Sequence, residues 1–328
     1  MGTLIEVKGL VIRFPKRRRS GFSLWPEYFN AVDRVSFCIE RGETFGLVGE
    51  SGSGKSTIGK AILGYLPLDG GEITYDGTPI SGLRDKALLP YRRRMQSIFQ
   101  DPYSSLDPSM TVREIISEPM EIHRLLDANG RRKRAAELLE AVGMSSDDMR
   151  RYPYEFSGGQ RQRISIARAL SVNPDFVMCD EPISALDVSL QAQIVFMLRE
   201  LQQKYSLTYL FISHQLQVVQ KICDHIGVLY LGSILELGPA DAVYDEPLHP
   251  YTRMLMASML VPDPDSDSLD RVIPDAGVQQ YSGRGCKFAN RCPHAERRCL
   301  EEYPGSYEVA PGHYVCCFRY EHLAYPAD

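Results

Sequence analysis

The segment Gly49-Glu50-Ser51-Gly52-Ser53-Gly54-Lys55-Ser56 fits the pattern G-x-x-x-x-G-K-[ST] in full. Glycines at these places let backbone amides turn inward around an anion, and the helix that follows aims its positive end at the same point. Lys55 supplies a mobile charge for terminal phosphates, and Ser56 a hydroxyl for magnesium. The apolar strand pattern Glu43–Val48 before the loop and the helical pattern Ser56–Tyr65 after it separate this reading from that of a glycine-rich turn that merely connects.

A loop of this kind needs a carboxylate partner for the metal. Phe176-Val177-Met178-Cys179-Asp180-Glu181 is an apolar strand ending in two acids. The first is placed to meet magnesium, and the second to polarise a water in line with the terminal phosphoryl group. Twenty-three residues before Asp180, Ser157-Gly158-Gly159-Gln160 opens another helical pattern, Arg161–Leu170. It is a second helix N-terminus with bare amides and a hydroxyl, hence a second anion site as well as an N-capped helix. One nucleotide does not need two cradles from one chain, so this turn is expected to serve a nucleotide held by a second subunit.

The rest of the chain fits around these sites. Its 328 residues allow two domains, or one large domain with an appendage. Strand patterns at Ile5–Phe14, Phe37–Glu40, Phe176–Cys179 and Leu207–Ile212 are separated by helical ones. Residues 103–172 instead hold the amphipathic patterns Val112–His123, Arg131–Val142 and Ile164–Leu170, with no strong strand, and read as a helical insertion. In the helix expected over Ser189–Tyr205, Leu190, Ile194, Met197, Leu198 and Leu201 share one face. Strands alternating with helices imply a mainly parallel sheet covered on both sides. With 37 Lys and Arg against 42 Asp and Glu, the net charge of −5 argues against a duplex-binding footprint. No apolar stretch approaches the roughly 20 residues of a spanning helix, and Met1–Glu6 shows no export pattern. A soluble, cytosolic chain is expected. The basic loop Lys16–Arg19 reads as solvated.

Taken together, residues 4–250 strongly resemble the ATP-binding subunit of ABC transporters. The resemblance makes Gly49–Thr57 (Gly49, Ser51, Gly52, Ser53, Gly54, Lys55, Ser56 and Thr57) the Walker A loop that binds ATP. Gln100 matches the Q-loop and contacts magnesium together with Ser56 and Asp180. Asp180 and Glu181 match Walker B with its catalytic glutamate, and His214 the switch histidine, the second catalytic residue. Ser157, Gly158, Gly159 and Gln160 form the signature motif that acts in trans, preceded by Phe156 where leucine is more usual. Ser184-Ala185-Leu186-Asp187 is the D-loop. Phe14 holds the position of the adenine-stacking aromatic, with Phe22, Trp25, Tyr28 and Phe29 of the inserted stretch as alternatives. The fold it implies is α/β: a P-loop NTPase (ABC-type ATPase) core with a mainly parallel sheet and a helical signature subdomain over about 103–172.

Of the eight cysteines, Cys38, Cys179 and Cys223 stand singly and read as small buried residues, whereas Cys286, Cys292, Cys299, Cys316 and Cys317 cluster near the end. A cluster of this kind in a reducing compartment points to a metal. Spacings of five and six residues are longer than zinc knuckles use, and four thiolates suit an iron–sulfur cluster, with zinc or metal-free thiols as alternatives. The prolines after about residue 245 and the acidic run Asp263–Asp270 mark a linker. Residues 251–328, together with the His249-Pro250-Tyr251-Thr252 run upstream of the cysteines, resemble the C-terminal extension of oligopeptide and dipeptide importer ATPases, of the second paralogue type. That resemblance implies a [4Fe–4S] cluster on Cys286, Cys292, Cys299 and Cys317, with Cys316 a bystander. It further implies an ATP- and Mg2+-dependent subunit at the cytoplasmic face of the membrane. Its partners would be a paralogous ATPase or a second copy, two transmembrane permease subunits and, through them, an extracytoplasmic peptide-binding protein, with no nucleic acid. Another cargo (nickel, glutathione, a sugar, an antimicrobial peptide), or a soluble ABC ATPase acting on nucleic acid or ribosomes, are the competing expectations.

Overall fold

The structure is a computed structural model that describes residues 2–16, 27–184, 186–257 and 283–323. Its strands are β1 (Thr3–Pro15), β2 (Tyr28–Glu40), β3 (Thr44–Val48), β4 (Gly70–Tyr75), β5 (Thr78–Pro79), β6 (Met95–Ile98), β7 (Phe176–Asp180), β8 (Thr208–Ser213), β9 (His225–Tyr230), β10 (Ser233–Pro239), β11 (Tyr307–Ala310) and β12 (His313–Val315). The helices are α1 (Lys55–Ile62), α2 (Asp85–Arg94), α3 (Val112–Ile122), α4 (Ala128–Ala141), α5 (Gly158–Leu170), α6 (Val188–Tyr205), α7 (Leu216–Ile222), α8 (Ala240–Asp245), α9 (Pro250–Ala257) and α10 (Arg297–Glu301).

Strand β7 shows why the central layer is buried. All five of its residues are inaccessible, with Phe176 and Met178 entering one apolar core and Val177 and Cys179 the other. A strand apolar on both faces needs cover on both faces. One side is covered by α1 and an antiparallel sheet of order β2-β1-β4-β5, the other by α3 to α6. Helix α1 lies so close to the sheet that a Cβ on Gly59 would strike the sulfur of Met178.

The large sheet has the order β11-β12-β10-β9-β3-β8-β7-β6. Pairing is parallel from β9 to β6 and antiparallel from β9 out to β11. The sheet is therefore mixed rather than mainly parallel throughout, and a second, wholly antiparallel sheet stands beside it. The reason is connection length: short turns such as Asp76-Gly77 between β4 and β5 and Leu231-Gly232 between β9 and β10 are hairpin-scale links, which parallel strands cannot use. Between β6 and β7 the chain forms α3, α4, α5 and two short 3-10 turns, without a strand.

Two details depart from the sequence pattern. Cys38 is exposed, because it faces outward on β2 between the buried Phe37 and Ile39. Pro250 opens α9 rather than continuing a linker: proline suits a first helical turn, where its missing N–H costs nothing, and Tyr251 and Thr252 behind it are fully buried. The acidic run Asp263–Asp270 and the basic loop from residue 17 onward lie outside the described residues.

The C-terminal segment is built onto the main body. Strand β12 pairs with β10 through Glu236↔Val315 and Leu237↔Tyr314, and Phe288, fully buried, belongs to the larger core. A buried carboxylate organises this junction. Glu236 accepts the backbone N–H groups of Leu248 and His249 at 2.9 and 2.8 Å and sits 2.9 Å from Nε2 of His313. The His249 Nδ1 in turn accepts from the N–H of Tyr251 at 3.0 Å. Burial lowers the His249 pKa to about 3, which keeps the ring neutral and that nitrogen free to accept.

Candidate functional site

Strands β3, β8, β7 and β6 are parallel neighbours in that order, so their carboxyl ends share one edge of the sheet. In open α/β sheets that edge is where ligands sit. From β3 the chain enters the Gly49–Ser56 loop; β8 leads to His214, β7 ends in Asp180 and leads to Glu181, and β6 leads to Gln100. Four segments distant in sequence thus deliver their polar groups to one place.

The loop is closed in on itself. Gly54, the N-cap of α1, has φ 108°, and a side chain there would collide with the carbonyl of Ala31 in β2. Only glycine fits, and it leaves the first amides of α1 uncovered by any capping side chain. Lys55 is buried, and its Nζ donates to the carbonyls of Gly49 and Glu50 at 2.8 and 2.9 Å and to Ser53 Oγ at 3.4 Å. Burial lowers its pKa, although Glu181, Asp180 and Glu50 pull the other way. Across the cleft, Ser56 Oγ donates to Asp180 Oδ1 at 2.7 Å. Burial raises the Asp180 carboxyl above its usual range despite that bond. A buried carboxylate whose negative form is penalised, with a hydroxyl beside it, is a donor set that a divalent cation would satisfy.

Glu181 is the meeting point of the other loops. Its carboxylate accepts from Gln100 Nε2 at 3.1 Å and lies 3.2 Å from His214 Nδ1. The residue sits in the left-handed region with φ 48°, its N–H donating to Ile212 of β8 at 3.0 Å. Such backbone strain in a non-glycine residue collects at functional sites. Its carbonyl accepts from Ser184 Oγ at 3.1 Å, tying in the segment whose Asp187 caps α6. Ala185 of that segment lies outside the described residues.

The Ser157–Gln160 turn is separate from this cluster. Ser157 caps α5, accepting from Gln160 N at 3.4 Å, while Gln160 Oε1 accepts from Ser157 N at 3.0 Å. Ser157 and Gln160 are exposed, and a Cβ on Gly159 would press against Leu190 at 3.2 Å. Phe14 stands in β1 opposite Phe29 of β2, ring centroids 6.2 Å apart. Phe29, exposed, is two residues from Ala31, which touches the phosphate loop. Tyr28 is likewise exposed, whereas Phe22 and Trp25 lie outside the described residues.

Residues 32–184 match the family described as ABC transporter, and residues 235–299 the one described as Oligopeptide/dipeptide transporter, C-terminal region. A putative oligopeptide transport ATP-binding protein of Bacillus subtilis, YkfD, is 48% identical over 321 residues, 97% of this chain and 95% of the relative. This chain belongs to the ATP-binding proteins of ABC transporters. The oligopeptide transport ATP-binding protein OppF of the same organism is 46% identical over 326 residues, 98% of each chain. Among solved structures, the ATP-binding cassette MJ0796, as a dimer in a post-hydrolysis state bound to ADP and Pi, matches with a TM-score of 0.64 at 28% identity. That match covers 72% of this chain and 99% of the cassette. The structure of cbiO1 from Clostridium perfringens, part of an ABC transporter complex, has the same TM-score at 27% identity, covering 74% and 91%.

This ABC protein carries a second convergence, in its C-terminal segment. Cys286, Cys292, Cys299 and Cys317 all line one cavity of about 110 Å3, together with His249, Phe288 and His294. Cys316 lines a different cavity, against β10 and β2. Among the described residues no group of three or more His, Cys, Asp or Glu is disposed to hold a metal ion, so the structure does not show the expected metal centre. The thiols surround a space rather than a point. Burial raises the pKa of Cys286 to about 11 and those of Cys292 and Cys317 in the same direction.

Sequence reasoning missed the contacts that join this segment to the phosphate loop. Arg291 grips the Glu50 carboxylate through both Nη atoms at 3.1 Å, and Glu50 N donates to Tyr251 Oη at 3.0 Å. The sole hint was the His249–Thr252 run, whose tyrosine makes the second contact. Among the described residues no helix is long and apolar enough to cross a membrane.

Proposed function

We propose that this chain is the ATP-hydrolysing subunit that energises import of di- or oligopeptides by an ABC transporter, working at the cytoplasmic face of the membrane. The observation that carries the catalytic part is the union of Gln100, Glu181 and His214 beside Lys55 and the Ser56–Asp180 pair at one sheet edge. Gly49, Ser51, Gly52, Ser53, Gly54 and Thr57 wrap the phosphates with backbone and hydroxyl donors, and Lys55 turns from its loop carbonyls to the ligand. Ser56, Asp180 and Gln100 hold magnesium, which when bound neutralises charge on the phosphates. Glu181 takes or orients the proton of the attacking water, and His214 holds Glu181 and meets the terminal phosphate. Phe14, with Phe29 beside it, offers the adenine platform.

Ser157, Gly158, Gly159 and Gln160 complete the nucleotide site of a partner subunit, a sister ATPase or a second copy. The exposure of Ser157 and Gln160, and the dimeric state of a solved cassette of the same fold, support this. The peptide cargo is supported by the names of the relatives and by the match of residues 235–299; two permease subunits and a peptide-binding protein outside belong to the same reading. The domain division follows: the ATP-binding domain over 1–250, with its helical part over about 103–172, and the extension over 251–328.

The four cavity-lining thiols fit a [4Fe–4S] cluster better than one ion, since a water-sized guest needs only ~10–15 Å3 and the cavity offers about 110 Å3. When bound, the cluster would cross-link a segment too small to hold a core of its own. Iron and acid-labile sulfide in anaerobically purified protein, lost in Cys317→Ser but kept in Cys316→Ser, are expected; stoichiometric zinc overturns the cluster. The function itself is tested in vesicles that hold the chain with its membrane subunits. Peptide presented by the binding protein should stimulate ATP hydrolysis, and Glu181→Gln should abolish hydrolysis while ATP still binds. Hydrolysis that is indifferent to peptide refutes the cargo, and a Glu181→Gln variant at wild-type rate refutes the catalytic assignment.

A further inference from the structure

Glu50 is an awkward residue for its position. It lies inside the phosphate loop, one residue after Gly49, where a ligand with several negative charges is to be bound. A free carboxylate there would repel the phosphates across a short distance. The structure gives this carboxylate a fixed partner 241 residues away: Arg291 pairs with it bidentately, Nη1 to Oε2 and Nη2 to Oε1, each at 3.1 Å. Arg291 is itself held, its guanidinium 5.8 Å from the ring centres of Tyr230 and Phe288 and within reach of Tyr230 Oη and Met254 Sδ at 3.5 Å. The backbone of Glu50 is fixed from the same side, by the buried Tyr251 hydroxyl. Four residues before Arg291, Lys287 Nζ donates to the Leu231 carbonyl at 2.8 Å and pairs with Asp33 at 3.0 Å. The neighbouring Gly232 N–H donates to Ser53 of the loop at 2.8 Å. The cysteine-bearing segment therefore holds the phosphate loop directly through Arg291 and braces, through Lys287, the β9–β10 turn that bonds Ser53.

We propose that Arg291 is a positioning residue for nucleotide binding: it neutralises Glu50 and holds that carboxylate away from the phosphate cradle, so that the C-terminal segment sets the affinity of the loop for ATP. This rests on the reading of Gly49–Thr57 as the ATP loop. A planar, two-pronged guanidinium is the side chain suited to such a pair, and lysine would supply charge without the fork.

The test measures the Kd of a fluorescent ATP analogue with magnesium, on the full chain, for wild type, Arg291→Gln, Arg291→Lys, Glu50→Gln and the double variant Glu50→Gln/Arg291→Gln. Arg291→Gln should weaken binding by about tenfold, the discount from a fully buried pair reflecting its partial exposure. Arg291→Lys should fall between it and wild type. The double variant should bind within about threefold of wild type, because the charge that needed neutralising is gone. A purely structural role for Arg291 would leave the double variant as weak as Arg291→Gln, and that result overturns the proposal. An Arg291→Gln chain that binds as wild type does overturns the clamp alone; a wild-type chain that binds no ATP overturns the loop reading with it.

Discussion

The proposed function assigns two helix N-termini to an anion, and they are finished in opposite ways. At α1 the cap is Gly54, without a side chain, and Lys55, the first residue of the helix, is buried and spends its donors on the carbonyls of its own loop. At α5 the cap is Ser157, locked with Gln160 in a reciprocal pair and exposed at the surface. The first is an inward cradle whose polar groups are gathered by strand ends; the second faces outward and is closed by the reciprocal Ser157–Gln160 bonds. A cradle that lacks cover and a cap that lacks a cradle are complementary halves. On the proposed function they enclose the phosphates only when joined between two subunits.

Breaking the inward half should have the largest effect. Glu181→Gln removes the carboxylate that joins Gln100 to His214, and kcat for ATP should drop by roughly 10^2–10^4-fold while ATP affinity is kept, as single-turnover assays would show. Loss of binding together with turnover would instead place Glu181 in the ground-state site. The Glu50–Arg291 clamp comes next, at about tenfold in Kd.

A control lies away from both halves. His225 Nδ1 is 2.7 Å from Glu43, which together with Asp224 raises the imidazole pKa. A raised folded-state pKa means stabilisation that is complete below the ordinary imidazole range and fades as pH rises through the folded value. His225→Gln should therefore cost on the order of 0.5 kcal/mol near pH 6 and progressively less toward pH 9, read as the gap between thermal midpoints. A gap that widens with pH would reverse the assignment. Nucleotide affinity should not change, because the pair is remote from either anion site.

The two halves were legible because each is a local pattern: glycines, lysine and serine at fixed spacing, or a hydroxyl and two glycines before a helix. The acids of β7 and the histidine after β8 were legible because apolar strands announce their own ends. Helix α2 was not, since Arg92, Arg93, Arg94 and an internal Pro90 leave little apolar periodicity. Strand β6 is only four residues long, too short for alternation to register. Cys38 was misjudged because a lone cysteine carries no sign of which strand face it occupies. The Arg291–Glu50 pair was invisible for a different reason: it joins residues 241 apart, through a segment whose docking depends on Glu236 gathering His313 and the backbone before Tyr251. Long-range polar pairs follow from topology, and topology was not available from the pattern of any one segment.

The complementarity of the two caps is tested most directly by Ser157→Asp in the assembled transporter. Aspartate caps a helix as well as serine does, so α5 and the thermal midpoint should be preserved. It also sets a carboxylate at the face meant to meet the partner's ATP. Hydrolysis should fall by at least about a hundredfold, while the isolated chain binds ATP as before. Wild-type hydrolysis by Ser157→Asp, or full-rate turnover by a single isolated chain, would contradict the shared site.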